Sequence, residues 1–311
     1  MIPPATPTLG DTVGRRSDLG ALIRSLLLMA RFSLINVFGR RSVIDPTGPS
    51  GLTSRPDHAR PVVSLTSYGR RVPLAFLAIE SIARGSLRPS RLVLWLDDPR
   101  YLARPPRSLR RLVRRGLEVK ASENYGPHTK YYPYARSRAD HELPLVTADD
   151  DWMVPREWLS SLIEAHSDDK LALAAHRAHR IAMTDGGVAP YATWSPATLA
   201  VTSPLHFGTG CMGQLITPRV LDALRDAGDS FRQFSPHNDD VWIHHTALEL
   251  GVGVRPVGLL PESDFAPVRG AGLFGVKPLF ESNVAGGRND RQIEATYTAR
   301  GVSALLDASG R

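Results

Sequence analysis

Leu143-Pro144-Leu145-Val146-Thr147-Ala148-Asp149-Asp150-Asp151-Trp152-Met153-Val154-Pro155 is the stretch that decides the fold. Its first six residues form a short, bounded and mostly aliphatic run, the pattern of a buried strand. Pro155 suits the first turn of a following helix. The carboxylates therefore fall where a strand hands over to a helix, at the carboxyl edge of an open sheet. Ligands of α/β folds bind at that edge. Packed carboxylates repel one another and lose solvation. A divalent cation such as Mg²⁺ or Mn²⁺ offsets that cost and also binds phosphates. The competing reading is a solvated turn in which an aspartate caps the helix, and the triplet alone does not choose between them.

The flanking sequence alternates strands and helices. Pro61-Val62-Val63-Ser64-Leu65 reads as a strand and Thr66-Ser67-Tyr68-Gly69-Arg70-Arg71 as a turn. Pro73 can open a helix with Leu74, Leu77, Ala78 and Ile82 at helical spacing. Arg91–Leu96 is a second strand ending in Asp97-Asp98-Pro99. Arg107–Arg115 interleaves Leu109, Leu112 and Val113 with five arginines, and Gly116 can end it as a helix. Leu117–Lys120 is a third strand, and a helix around Lys130–Arg138 leads back to the acidic stretch. This order predicts an α/β fold whose mostly parallel sheet has right-handed crossovers and flanking helices. No G-x-G-x-x-G phosphate loop follows the first strand, so a dinucleotide fold has little support.

Polar groups gather at the predicted strand ends. Thr66, Ser67 and Arg70 follow the first strand, and Asp97 and Asp98 the second. Ser122, Glu123 and Asn124 follow the third, with Lys130 soon after. Each alone fits a turn former or a cap. Together, around one crevice, they supply the donors, cations and carboxylates that a metal-bound diphosphate needs. A second acidic pair, Asp239-Asp240, opens the helical run Val241–Leu250, with Gly251 as a stop. A helix N-terminus favours anions, and a plain N-cap is the bland alternative. His237, His244 and His245 near this pair, and Tyr191, Trp194 and Trp242, are weaker candidates for metal and sugar contacts. Residues 268–290 are glycine-rich and have the composition of a loop that could close over a donor.

The chain has 311 residues, 42% hydrophobic and 22% charged, ordinary for one large or two smaller α/β units. One cysteine, Cys211, excludes an internal disulfide and favours a reducing compartment. A net charge of +7 suits anionic partners. No nucleic-acid motif of defined spacing is present.

The N-terminus reads as an appendage. Residues 1–20 resemble a disordered tail. Residues 21–41 read as an amphipathic helix lying in the plane of an anionic membrane surface, flanked by Arg40 and Arg41. Packing of that helix on the domain is the alternative. Residues 42–60 are rich in Pro and Gly and read as a linker, so a chain starting near residue 55 is expected to keep its fold. The main domain spans 61–300, with 301–311 as a tail.

From Val62 to about Asp290 the sequence resembles bacterial glycosyltransferases of the GT-A fold, near the family-2-like polysaccharide enzymes. The resembling pieces are Val63–Tyr68, Leu94-Trp95-Leu96, Glu123-Asn124-Tyr125 with Lys130, and Thr147–Asp151. Tyr191 with Trp194, Gly208-Thr209-Gly210 with Gly213, and Asp239-Asp240-Val241-Trp242 complete the set. Gly69 and the Cys211-Met212 interruption depart from the pattern and bear on acceptor fit.

The resemblance implies a Rossmann-like sheet and a metal-dependent transferase. It would move a sugar from a nucleotide-sugar donor to a glycan or lipid-linked acceptor of cell-envelope polysaccharide, with inversion. Asp149 and Asp151 would hold Mn²⁺ or Mg²⁺. Thr66, Ser67, Tyr68, Arg70, Asp97, Lys130, Asp149 and Asp150 would line the donor site. Asp240 would act as general base and Asp239 would position the acceptor. The implied location is cytoplasmic, peripheral on the inner face of the plasma membrane, with no nucleic-acid partner. Two rivals use the same residues: a non-catalytic sugar-binding relative and a metal-dependent nucleotidyltransferase.

Overall fold

The apolar runs form the centre of the sheet: β1 (Val62–Thr66), β2 (Arg91–Leu96), β3 (Leu117–Ala121) and β4 (Leu145–Ala148). They lie parallel in the spatial order β4-β1-β2-β3, with Val63 opposite both Leu92 and Val146. Such continuous apolar strands need both faces covered, and the side chains alternate accordingly. Val63, Leu65, Leu92, Leu94 and Val146 enter one core and Val62, Val93, Trp95 and Leu145 the other.

The computed structural model describes residues 9–45, 60–258, 260–269 and 287–310. Within them the remaining strands are β5 (Trp152–Met153), β6 (Leu173–Arg180), β7 (Met183–Thr184), β8 (Gly187–Val188), β9 (Ser195–Pro196), β10 (His206–Ile216), β11 (Val254–Pro256) and β12 (Ala266–Pro267). β10 is inserted antiparallel between β4 and β6, and β11 pairs parallel with β6. The sheet order is thus β11-β6-β10-β4-β1-β2-β3, with β9 paired to β6. The sheet is mixed, with a parallel core. The sequence does not announce β10, because its glycines interrupt the alternation of a strand.

The helices are α1 (Leu9–Phe38), α2 (Phe76–Ala83), α3 (Pro99–Ala103), α4 (Arg107–Val113), α5 (Tyr132–Arg136), α6 (Trp158–Asp168), α7 (Pro218–Asp226), α8 (Phe231–Phe234), α9 (Asp239–Glu249), α10 (Arg288–Thr296) and α11 (Ala299–Ser309). α2, α4 and α6 supply one core, through Ile79, Ile82, Leu109, Leu112, Trp158 and Leu162. α5, α7 and α9 supply the other, through Tyr134, Leu221, Leu224, Ile243 and Ala247.

Both termini differ from the sequence expectation. The first helix begins at Leu9, so residues 9–20 are helical and not a disordered tail. α1 also packs on the domain. Ser25 Oγ donates to the Pro267 carbonyl at 2.5 Å, and the Arg24 guanidinium donates to the carbonyls of Ser263 and Asp264. At the other end Asn36 Nδ2 donates to Glu80 Oε1 at 3.1 Å and to the Ser108 carbonyl at 3.2 Å. Phe32 is buried beside Leu77 and Met153, and Val43 is buried in the main core. Burying such side chains contributes about 2–3 kcal/mol each. The segment is therefore structural, and a chain starting near residue 55 loses part of its core.

The linker's interior, 46–59, and the glycine-rich stretch 270–286 lie outside the described residues. The linker's described ends meet in an ion pair between Asp45 and Arg60. Residues 301–311 were expected as a tail. Instead α11 is capped by Thr298, whose Oγ1 accepts the Gly301 N–H at 3.1 Å. Its Leu305 is buried against the cluster holding Leu248 and Tyr297.

Candidate active site

The turn from β4 into β5 carries the aspartate triplet, and burial sorts its members. Asp150 is buried: it accepts a hydrogen bond from Ser67 Oγ at 2.5 Å and pairs with the Arg71 guanidinium. Asp149 and Asp151 keep open side chains, 24% and 34% exposed, so these two carboxylates can receive a ligand. Arg71 also reaches Asp151 Oδ2 at 2.7 Å. The sequence expectation chose Arg70 as the donor-site cation. The structure places Arg70 exposed and brings in Arg71, because the 3₁₀ turn Gly69–Leu74 points the second arginine inward.

Lys130 links the two acidic clusters. It closes the 3₁₀ turn Gly126–Lys130, which His128 anchors by hydrogen-bonding the Ser235 carbonyl (2.8 Å) and the Tyr131 hydroxyl (2.9 Å). Burial pushes His128 down to about 3, so it is a neutral strut. Lys130 Nζ donates to Asp149 Oδ1 at 2.8 Å and lies 3.4 Å from Asp239 Oδ2. Burial opposes its charge, but Asp149, Asp239 and Asp240 outweigh burial and hold the ammonium well above its ordinary value.

Asp239 and Asp240 open α9, yet neither is its cap. Asn238 Oδ1 accepts the Val241 N–H at 3.2 Å, and Asn238 Nδ2 donates to Asn289 Oδ1 at 2.8 Å. The pair is thereby released for other work. Asp239 is buried on the Lys130 side. Asp240 Oδ1 accepts the Gly210 N–H from β10 at 2.8 Å. A Cβ on Gly210 would stand 3.2 Å from that oxygen and 3.5 Å from Lys130 Nζ, so a side chain there would crowd the contact.

The charges do not balance. Five carboxylates (Asp149, Asp150, Asp151, Asp239, Asp240) face two cations (Arg71, Lys130), five minus two, or three negative charges in excess at full ionisation. The cluster responds by holding protons. Burial, then the neighbouring Asp149, pushes Asp151 up to about 6 against the pull of Arg71. Burial, then Asp239, pushes Asp240 up to about 8 against Lys130 and the Gly210 N–H. Burial raises Asp150 and Asp239 as well.

A divalent cation fits this arrangement. Asp149 and Asp151 offer two accessible carboxylates beside excess negative charge. Among the described residues no group of three or more His, Cys, Asp or Glu converges as a complete ligand set. Two carboxylates with the rest left to phosphate oxygens and water is the usual protein share of a Mg²⁺-type site.

The other expected residues divide. Thr66 Oγ1 donates to the Trp95 carbonyl at 3.1 Å, and Ser67 is committed to Asp150, so both shape the edge through local bonds. Tyr68 is exposed with its ring 5.4 Å from the Arg71 guanidinium. Asp97 accepts from Asn124 Nδ2 at 2.8 Å, joining two strand ends, while Asp98 caps α3. Tyr191 is near enough for Asp240 to help burial push its phenol up to about 12, and it packs on Trp194. Trp242 is a core residue. His244 bonds the Tyr297 hydroxyl at 2.6 Å and the Pro204 carbonyl at 3.1 Å, which leaves it no free nitrogen. His237, seven residues earlier and outside α9, is exposed, and its backbone N–H donates to Gln292 Oε1.

Arg177 on β6 was not foreseen. It lies 3.6 Å from Cys211 Sγ and 3.3 Å from Glu262, beside Tyr191. It sits in a run, Leu173–Arg180, whose pattern gave no sign of an open edge.

No protein-family model matches the sequence, and no curated protein matches it. Among solved structures it is similar to the mannosyltransferase PcManGT of Pyrobaculum calidifontis, in complex with GDP-Man and Mn²⁺. Identity is 15%, covering 94% of this chain and 84% of that one, with a TM-score of 0.45. It is also similar to GalNAc-T7 with UDP, GalNAc and Mn²⁺, at 12% identity and a TM-score of 0.43. That match covers 64% of this chain and 42% of the other, less than half its length. At such identities and scores these likenesses decide neither substrate nor reaction, which rest on the residues of the crevice.

Proposed function

We propose that the chain is a metal-dependent glycosyltransferase of GT-A type, moving a sugar from a nucleotide-sugar to a hydroxyl of a glycan or lipid-linked acceptor with inversion. The observation that carries it is the unbalanced crevice: two accessible carboxylates, Asp149 and Asp151, across Lys130 from Asp240, whose carboxyl is pushed up to about 8. When bound, Mn²⁺ or Mg²⁺ supplies positive charge to the donor diphosphate.

The protein's own groups do the rest. Lys130 sits between the two clusters and adds a fixed cation near the leaving group. Gly210 N–H holds Asp240 Oδ1, leaving Oδ2 for the acceptor hydroxyl. Asp240 takes that proton as the acceptor oxygen attacks the anomeric carbon. The bond from that carbon to the diphosphate breaks, and a nucleoside diphosphate leaves. Tyr191, with Trp194 behind it, offers a ring to the acceptor sugar. The proposal extends to a cytoplasmic enzyme of cell-envelope polysaccharide assembly, peripheral on the inner face of the plasma membrane. Membrane attachment is supported by the apolar stretch Leu19–Phe38, whose side chains Leu27, Leu34 and Phe38 stay exposed.

A panel of nucleotide-sugars titrated by calorimetry with and without Mn²⁺ tests the reading. Metal-dependent binding of one donor is expected, abolished by Asp151→Asn in a folded protein. Binding and transfer undiminished in excess chelator would overturn it.

A further inference from the structure

The outer face of α1 is apolar and has no partner among the described residues. Leu19, Ile23, Leu27, Leu34 and Phe38 follow helical spacing and are 49–74% exposed. The opposite face is spent on the domain through Ser25, Phe32 and Asn36. The anchors at residues 24–25 and 36 are about 18 Å apart along the axis at ~1.5 Å per residue. The helix therefore lies along the domain surface, and spanning a bilayer would strip every one of these contacts.

Beside the end of α1 lies α4, to which Asn36 is tied through the Ser108 carbonyl and Arg111. Its guanidiniums of Arg107, Arg110, Arg111 and Arg114 line one shallow cavity of about 160 Å³. None of these arginines pairs with a carboxylate among the described residues. Four like charges around one concavity repel, and phosphate oxygens relieve that through charge-assisted hydrogen bonds.

We propose that the outer stripe of α1 and the α4 arginine cavity form one bilayer-docking face, the stripe entering the lipid and the cavity gripping anionic phospholipid headgroups. Charge complementarity commits the face to an anionic bilayer: a second copy of this chain would bring the same arginines against each other. The inference rests on the peripheral attachment proposed above and adds the contact surface. It does not depend on the transfer chemistry, which donor titration measures separately.

The test is sedimentation of the full chain with vesicles of phosphatidylglycerol and phosphatidylcholine, against phosphatidylcholine alone. Binding to the anionic vesicles is expected, weakening with salt. Arg107→Glu with Arg110→Glu and Arg114→Glu should weaken it by about 10²-fold or more, since each basic residue near an anionic surface counts for roughly a fivefold change. Leu27→Ser with Leu34→Ser should also weaken it, with thermal unfolding showing both variants folded. Equal binding to neutral and anionic vesicles, or no loss in the arginine variant, overturns the headgroup site. A dimer that Leu34→Ser dissolves would assign the stripe to a subunit interface and overturn the docking face.

Discussion

Replacing Asp240 with Asn should remove activity and stabilise the protein, and the second effect depends on pH in a calculable way. An unfolded aspartate titrates near ~3.9, whereas folded Asp240 is pushed up to about 8. Between those values the folded state binds a proton that the unfolded state has released. Wild-type stability therefore falls as pH rises from about 4 to about 8, and the full penalty persists above that. At about 1.4 kcal/mol per pH unit the ceiling is roughly 6 kcal/mol. Solvent at the mouth of the site and proton sharing with Asp239 reduce this to about 1–3 kcal/mol.

Asparagine keeps the shape of the protonated acid, and its Oδ1 can still accept the Gly210 N–H. Asp240→Asn should then match wild type near about pH 4 and exceed it by about 1–3 kcal/mol above about pH 8. Urea unfolding at both conditions measures this. Product formation should fall by about 10²–10⁴-fold, the usual loss for a general base, while nucleotide binding persists. Unchanged stability above pH 8 would refute the buried carboxylate, and near-normal turnover would refute its role as base.

The same excess charge predicts that Mn²⁺ displaces protons held by the cluster, Asp151 first. Calorimetry in buffers of different ionisation enthalpy at about pH 6, where Asp151 still holds part of its proton, should show net proton release, and heats independent of buffer would contradict it. Glu80→Ala should destabilise by about 3–5 kcal/mol, because it strands the buried Arg115 guanidinium without its partner; that pair is now made at 2.5 and 2.9 Å. A loss under about 1 kcal/mol in urea unfolding would show that water reaches Arg115 more easily than its burial implies.

The parallel half of the sheet was legible because each strand is an aliphatic run with a polar end. Asp149 and Asp151 stand where one of those runs stops, whereas Asp239 and Asp240 stand at the start of a helical run and Lys130 in a turn beyond the third strand, so these three drew their candidacy from the family resemblance. Arg71 was missed because Arg70 and Arg71 are indistinguishable until the turn at Gly69 fixes which one points inward. β10 was missed because Gly208, Gly210 and Gly213 erase strand alternation. At Gly213, with φ +104°, a Cβ would lie 2.5 Å from Trp158 Nε1, a constraint set by a residue 55 positions away. The docking of α1 was hidden because Ser25 and Asn36 look like scattered polar residues until Pro267 and Glu80 are seen beneath them.

That docking has a practical consequence for handling the protein. The helix that displays the apolar stripe also shields Leu77 and Met153 through Phe32, and its Asn36 completes the hydrogen bonding of Glu80. Trimming the N-terminus to gain solubility would open the interior and invite aggregation of a different kind. Point replacements confined to Leu27, Leu34 and Phe38 leave Ser25, Phe32 and Asn36 in place. They give a chain that sheds its greasy exterior while keeping its foundations.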